Sequence, residues 1–251
     1  MNLQTADERS PWNRPPDFPR TMTKSGRHSS PPGKKRVFVI DDQPIVRERV
    51  IELINRESDL SICGEADEIR TAMELIARAQ PDLVITGLSF KNSHGLSLVK
   101  DLRARFSGMH VLIFSIYDEL LYGERAIRAG ARGFIEKRAS TSELLRAVRQ
   151  VLRGEIYLSD KASATTVGRF FRRPSPKAGS PLEQLSDREL EVFQLIGRGQ
   201  STRQIAAALR VDVKTIETYR GRIKVKLNLV DAADLRAQAK SYLEKMYSAR
   251  V

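Results

Sequence analysis

Two parts of this chain carry side chains whose types and spacing could do chemistry. The first is a small charged set. Asp41 and Asp42 follow the apolar run 37–40, Ser115 follows the run 111–114, and Lys137 follows 133–135. In an open α/β sheet, sites form beyond the carboxyl ends of the strands. An acidic pair, a hydroxyl and an ammonium at three such ends would share one pocket, able to hold a cation or an anion. A plainer reading of Asp41 and Asp42 is a helix N-cap ahead of Pro44. The second part is a polar-faced helix over 213–227. Ile216, Tyr219 or Arg220, Ile223 and Leu227 keep the spacing of a buried stripe, while most other positions are polar or small. Such a helix fits the DNA major groove, where base edges show a readable code of donors and acceptors. Lys214 and Thr215, near its start, suit a phosphate. Glu217, Thr218 and Gly221 lie on the face that could approach bases. A surface helix of a small bundle would show the same periodicity.

The elements needed to position these groups are legible. Apolar runs at 37–40, 60–66, 83–86, 111–114 and 133–135 alternate with helical patterns at 45–54, 69–78, 96–106, 120–129 and 140–153. Five strands alternating with five helices predict a doubly wound parallel sheet covered on both faces. From about residue 185 the strand signal ends. Ser186 with Glu189 and Ser201 with Gln204 have capping-box spacing, as Ser140 with Glu143 does at the start of the fifth helix; Gly199 supplies a stop, and Asp212 and Asp231 are candidate caps. Four helices with a short turn between the second and third predict a helix-turn-helix domain. The organisation read from this is a basic, Pro-rich tail over 1–35, an α/β domain over 36–156, a linker over 157–183 and an all-α domain over 184–251.

Charge supports that division. The chain is +12 overall, and residues 161–251 carry 18 basic and nine acidic side chains, whereas 37–160 carry 17 and 19. A basic C-terminal third favours a polyanionic partner, because neutralising phosphates releases counterions. No apolar run reaches 18 residues and the N-terminus lacks a signal-peptide core, so neither membrane contact nor export is expected and the reading is cytoplasmic. A single cysteine, Cys63, excludes an intrachain disulfide.

The all-α segment resembles the LuxR-type helix-turn-helix. Arg188, Glu189, Glu191, Val192, Gly199, Ile205, Ala206, Leu209, the run Lys214-Thr215-Ile216-Glu217-Thr218, Arg220, Ile223, Lys226 and Leu227 fall at the family's spacing. The resemblance implies that the third helix reads double-stranded DNA, that Lys214 and Thr215 touch phosphate, and that Glu217, Thr218, Gly221, Arg220 and Arg222 face the bases. It implies a homodimer on a two-fold site. The α/β segment resembles the receiver domain of response regulators, on Asp41, Asp42, Ser115, Phe134 at the aromatic switch position, and Lys137. Together they resemble the NarL/FixJ arrangement, with a flavodoxin-like (βα)5 fold ahead of the DNA-binding domain.

That family has one more carboxylate, an Asp ending the third strand that accepts a phosphoryl group beside Mg²⁺. Here the strand reads Pro81-Asp82-Leu83-Val84-Ile85-Thr86-Gly87, and the family pattern places the acceptor at Gly87. Glycine can neither accept phosphate nor ligate metal through a side chain. Asp82 precedes the strand at the wrong end, and alternation turns Thr86 to the other side. The expectation is therefore a degenerate receiver in which Lys137 pairs with the acidic pair, with no cofactor, and with Mg²⁺ weak or absent at Asp41 and Asp42. The function expected is a sequence-specific transcriptional regulator, not an enzyme, run without aspartyl phosphorylation through abundance, dimerisation, a small ligand or a protein on the receiver surface. Two alternatives stand beside it. One is a phosphorylation-dependent regulator with a cognate sensor kinase, in which Gly87 is a variant. The other is an interaction protein that binds nucleic acid without sequence preference.

Overall fold

A computed structural model describes residues 33–90, 93–164 and 181–248; the expected tail over 1–35 and the centre of the expected linker fall almost wholly outside them. Five strands form one parallel sheet: β1 (Lys35–Ile40), β2 (Leu60–Ala66), β3 (Leu83–Thr86), β6 (His110–Ser115) and β7 (Gly133–Glu136), in the order β2-β1-β3-β6-β7. Helices α1 (Pro44–Asn55), α2 (Ile69–Ala79), α3 (Gly95–Arg105), α4 (Glu119–Ala129) and α5 (Thr141–Leu152) connect them. The central strand β3 is buried at all four positions, as a parallel strand covered on both faces must be. Its alternation divides the core. Leu83 and Ile85 join Val37, Val39, Leu112 and Ile135 under α1 and α5, whereas Val84 joins Phe38, Ile40, Ile113 and Phe134 under α2 to α4.

The sequence reading has no counterpart for the two-residue strands β4 (Ser89–Phe90) and β5 (Ser93–His94), which pair antiparallel just after β3. They bring the start of α3 against the end of β3: Gly95 N–H donates to the Leu88 carbonyl at 2.6 Å. The expected linker also starts packed. Phe134 N–H donates to the Tyr157 carbonyl at 3.0 Å, Tyr157 N–H donates to Arg132 at 2.9 Å, and Ala162 is buried. The receiver-like packing thus runs past residue 156.

The C-terminal segment is helical throughout after a single 3-10 turn at Pro181–Gln184: α6 (Asp187–Gly197), α7 (Thr202–Leu209), α8 (Val213–Leu227) and α9 (Ala232–Ser248). The capping boxes of Ser140 with Glu143, Ser186 with Glu189 and Ser201 with Gln204 all form. Asp231 caps α9 by accepting from Ala233 and Asp234. Asp212 holds the cap position of α8 but makes no side-chain cap bond.

Gly197, which the sequence reading passed over, marks where α6 and α9 touch. A Cβ there would lie 2.6 Å from the Ala239 carbonyl oxygen and 2.7 Å from Leu243 Cδ1. The obstruction is backbone, so the helices would have to part. Gly197→Ala is expected to lower the stability of this domain by about 1–3 kcal/mol, read as a drop in its calorimetric midpoint.

Candidate pocket and nucleic-acid interface

The strand ends bring the sequence-predicted pocket residues to one edge of the sheet. Asp41 is buried at the end of β1, and its Oδ2 lies 2.7 Å from Lys137 Nζ. Its other oxygen accepts from Gln43 N–H at 3.0 Å. Gln43, not Asp41 or Asp42, holds the N-cap position of α1, so the cap reading of the pair does not describe their place. Lys137 also reaches Gln43 Oε1 at 3.5 Å, a partner not read from the sequence.

Asp42 is more open and faces Arg210 of the α7–α8 turn at 3.6 Å. Burial pushes the Asp42 carboxyl up, the Asp41 charge pushes it the same way, and Arg210 and Lys137 offset only part of this. Arg210 itself sits in the left-handed region at φ 52°. A pairing between positions 168 residues apart along the chain leaves no local trace in the sequence.

Gly87 follows β3, its N–H donating to the Ile40 carbonyl at 3.0 Å. A Cβ built there would stand 3.2 Å from Asp41 Oδ2 and 3.8 Å from the Phe90 ring, so the position opens onto the acidic pair. Ser115 is buried and its Oγ accepts from Tyr117 N–H at 3.2 Å. Phe134 is fully buried in the core. Asp82 lies at the far end of the sheet, accepting from Arg36 N–H at 2.8 Å.

Mg²⁺ is usually held by one or two carboxylates with several waters completing its shell; here one of the two at this edge, Asp41, is already held by Lys137 at 2.7 Å. Among the described residues no group of three or more His, Cys, Asp or Glu could hold a metal ion.

In α8, Ile216, Ile223 and Leu227 are buried, while Lys214, Glu217, Thr218 and Arg222 are exposed. Nothing lies within 4 Å of a Cβ built at Gly221. The helix therefore shows an uncovered polar face with a glycine on it. Arg220 differs from the other expected contacts: it is half-buried, its guanidinium pushed down by burial and by Arg236. Lys226 turns the other way and pairs with the α6 cap residue Glu189 at 2.6 Å.

The two domains meet through a clasp that sequence reasoning did not find. Arg125 on α4 donates to the Leu182 and Leu185 carbonyls at 2.8 Å each and to Asp187 at 2.9 Å. Arg188 on α6 donates to the Phe90 carbonyl at 2.8 Å. Tyr117 Oη donates to Glu191 at 2.6 Å, both residues being buried. Burial, with the Glu191 charge and hydrogen bond, pushes the Tyr117 hydroxyl well above the usual phenol range. The apolar cluster under α2 to α4 runs on into Leu182, Leu185 and Leu190. Arg188 and Glu191 were visible in a motif; their partners 98 and 74 residues earlier were not.

A flavodoxin-like receiver sheet ahead of a four-helix helix-turn-helix domain defines a response regulator. The chain matches the response regulator receiver domain over residues 37–149 and the luxR family of bacterial regulatory proteins over 183–237. It is 32% identical over 204 residues to the oxygen regulatory protein NreC of Staphylococcus carnosus, spanning 80% of this chain and 94% of that one. To the DNA-binding transcriptional activator DevR/DosR of Mycobacterium tuberculosis it is 31% identical over 196 residues, covering 77% and 88%. Among solved structures, a LuxR-family two-component response regulator from Aurantimonas sp. SI85-9A1 superposes with TM-score 0.51 at 26% identity, covering 55% of this chain and 99% of that one. The chain belongs to the LuxR-family response regulators. It is a DNA-binding transcription regulator, not an enzyme. Among the described residues no helix is long and apolar enough to cross a membrane.

Proposed function

We propose that this regulator selects its promoters through the open face of α8 and runs its receiver without aspartyl phosphorylation. The observation that carries the second half is the 2.7 Å pair between Lys137 and Asp41 beside a glycine whose missing side chain would face that same carboxylate. With Gly87 in place the pocket holds two carboxylates against one ammonium, and Lys137 supplies internally the positive charge that a divalent cation would otherwise bring. On DNA, Lys214 and Thr215 hold phosphate, and Glu217, Thr218, Gly221 and Arg222 face the bases. Half-buried Arg220 is better placed to steady the helix or to reach a phosphate. The regulator acts in the cytoplasm, binds a two-fold site as a homodimer, and takes its input through its abundance or a protein docking on the receiver.

Two measurements test this reading. A Mg²⁺ titration of the native chain is expected to show no saturable binding below millimolar concentration; tight saturation would overturn the reading of a pocket neutralised by Lys137. Binding to an operator and to scrambled DNA over a range of salt is expected to show a sequence ratio of 10³ or more. A phosphate-only salt slope with no ratio would leave a non-specific nucleic-acid binder.

A further inference from the structure

Beside the clasp, on the receiver side, lies a buried histidine whose ring nitrogen accepts a hydrogen bond. His94 ends β5 and caps α3, its Nδ1 accepting from Leu96 N–H at 3.3 Å. It is 4% exposed and stacks on Tyr122, ring centroids 5.9 Å apart. Because Nδ1 is the acceptor, the neutral ring must carry its proton on Nε2. Nε2 has no hydrogen-bond partner among the described residues, and neither has the buried Tyr122 hydroxyl. On α6, one turn beyond Glu191, the side-chain amide of Gln194 is buried and also unpartnered.

We propose that His94 makes the contact between the two domains sensitive to acid: protonation of its imidazole opens the receiver from the helix-turn-helix domain. A proton added at Nδ1 removes the acceptor for Leu96 N–H, breaking the cap. It also places a cation at a site that is almost wholly shielded from water and lies one ring away from Tyr117, whose hydroxyl bridges to Glu191. The surrounding charges do not rescue it. From α6, Glu191 and Asp187 attract the proton and Arg188 repels it, and from α4 Arg125 repels it. These are two carboxylates against two guanidiniums. Glu191 is already engaged by the Tyr117 hydroxyl and by Arg188. The neighbouring titratable groups, Tyr117 and Tyr122, stay neutral because burial holds both well above the phenol range. What remains is burial, which holds the imidazole below its ordinary value.

The sign follows from linkage. The open form binds the proton with an ordinary pKa of about 6.5 and the closed form binds it less well. Closure is at full strength above that value and weakens as pH falls through it. Between pH 7.5 and 5.5 the ratio of open to closed chains is expected to rise by up to about tenfold.

The test is a proton NMR titration of His94 in the full chain, beside a Tyr117→Ala variant that weakens the clasp by removing its bond to Glu191 without changing charge. The native His94 is expected to titrate below about 6.5, and the variant to move back toward it, each unit of that rise being tenfold in opening. Equal values in the two chains, or a native value at or above 6.5, would overturn the proposal. Small-angle scattering adds a second readout on an Arg125→Ala background, where open and closed chains are closer to balance. Expansion between pH 7.5 and 5.5 is expected there and is expected to vanish when His94→Asn is added, since Asn still caps α3 but cannot titrate. An unchanged expansion with His94→Asn would assign the effect to another group and sink the idea.

Discussion

Gly87→Asp is expected to turn the pocket into one that binds Mg²⁺ and accepts a phosphoryl group from a small acyl phosphate, neither of which the native chain should do. The Cβ has a place to go, 3.2 Å from Asp41 Oδ2, so the neighbouring carboxylate must yield by only a few tenths of an ångström. The new carboxylate stands against Asp41, already paired with Lys137 at 2.7 Å, and near Asp42. Without metal, three carboxylates facing one ammonium repel, and the variant is expected to be less stable than the native chain. With Mg²⁺ the sign reverses. Two unit charges about 4 Å apart interact by ~4 kcal/mol at an effective dielectric of ~20, so a third carboxylate acting on a divalent ion should tighten binding by at least about tenfold after desolvation. The readouts are a Mg²⁺-dependent rise in melting temperature confined to the variant, and an acid-stable, base-labile phosphoryl adduct found by mass spectrometry. The adduct forms when an Asp oxygen attacks phosphorus and the donor's carboxylate leaves. A phospho-aspartate recovered from the native chain would end the proposal of a phosphorylation-independent receiver.

How much of this was legible in the sequence depends on distance along the chain. The five main strands are short apolar runs of four to seven residues, each a local signal; the parallel sheet and the helix order follow from their alternation with helical patterns. The capping boxes are three-residue signals and all three formed. The pocket was legible because each member sits at the end of such a strand. The β4–β5 hairpin was not, since two-residue strands are shorter than any period. The clasp was also hidden. Arg125 with Asp187, Tyr117 with Glu191 and Arg188 with the Phe90 carbonyl join positions 62 to 98 apart, and nothing local to either partner distinguishes them from solvated surface. Arg210 against Asp42 is the same case. Arg220 shows the converse limit: periodicity left it level with Tyr219 for the buried stripe, and it became half-buried beside Arg236.

The largest loss of DNA binding is expected from Lys214→Ala combined with Thr218→Ala. Both side chains are exposed, so the fold should be unaffected to within about 0.5 kcal/mol. In the free protein the Thr218 hydroxyl donates back to the Lys214 carbonyl at 3.0 Å; at a base edge it would exchange that bond for one carrying sequence information. Losing one base contact costs about 1–3 kcal/mol, and losing one phosphate contact weakens all sequences alike and lowers the salt slope by about 1. Together they should cost about a hundredfold or more on the operator and less on scrambled DNA. Gly221→Ala separates groove contact from helix stability. With nothing within 4 Å of its Cβ, the free helix should gain about 1 kcal/mol from alanine's higher propensity. If the backbone at Gly221 closes on a base edge, the same methyl group must weaken the complex, so melting temperature and operator affinity should move in opposite directions. If both rise together, the face of α8 around Gly221 does not enter the groove, and the reading of that helix as the one that selects the promoter fails with it.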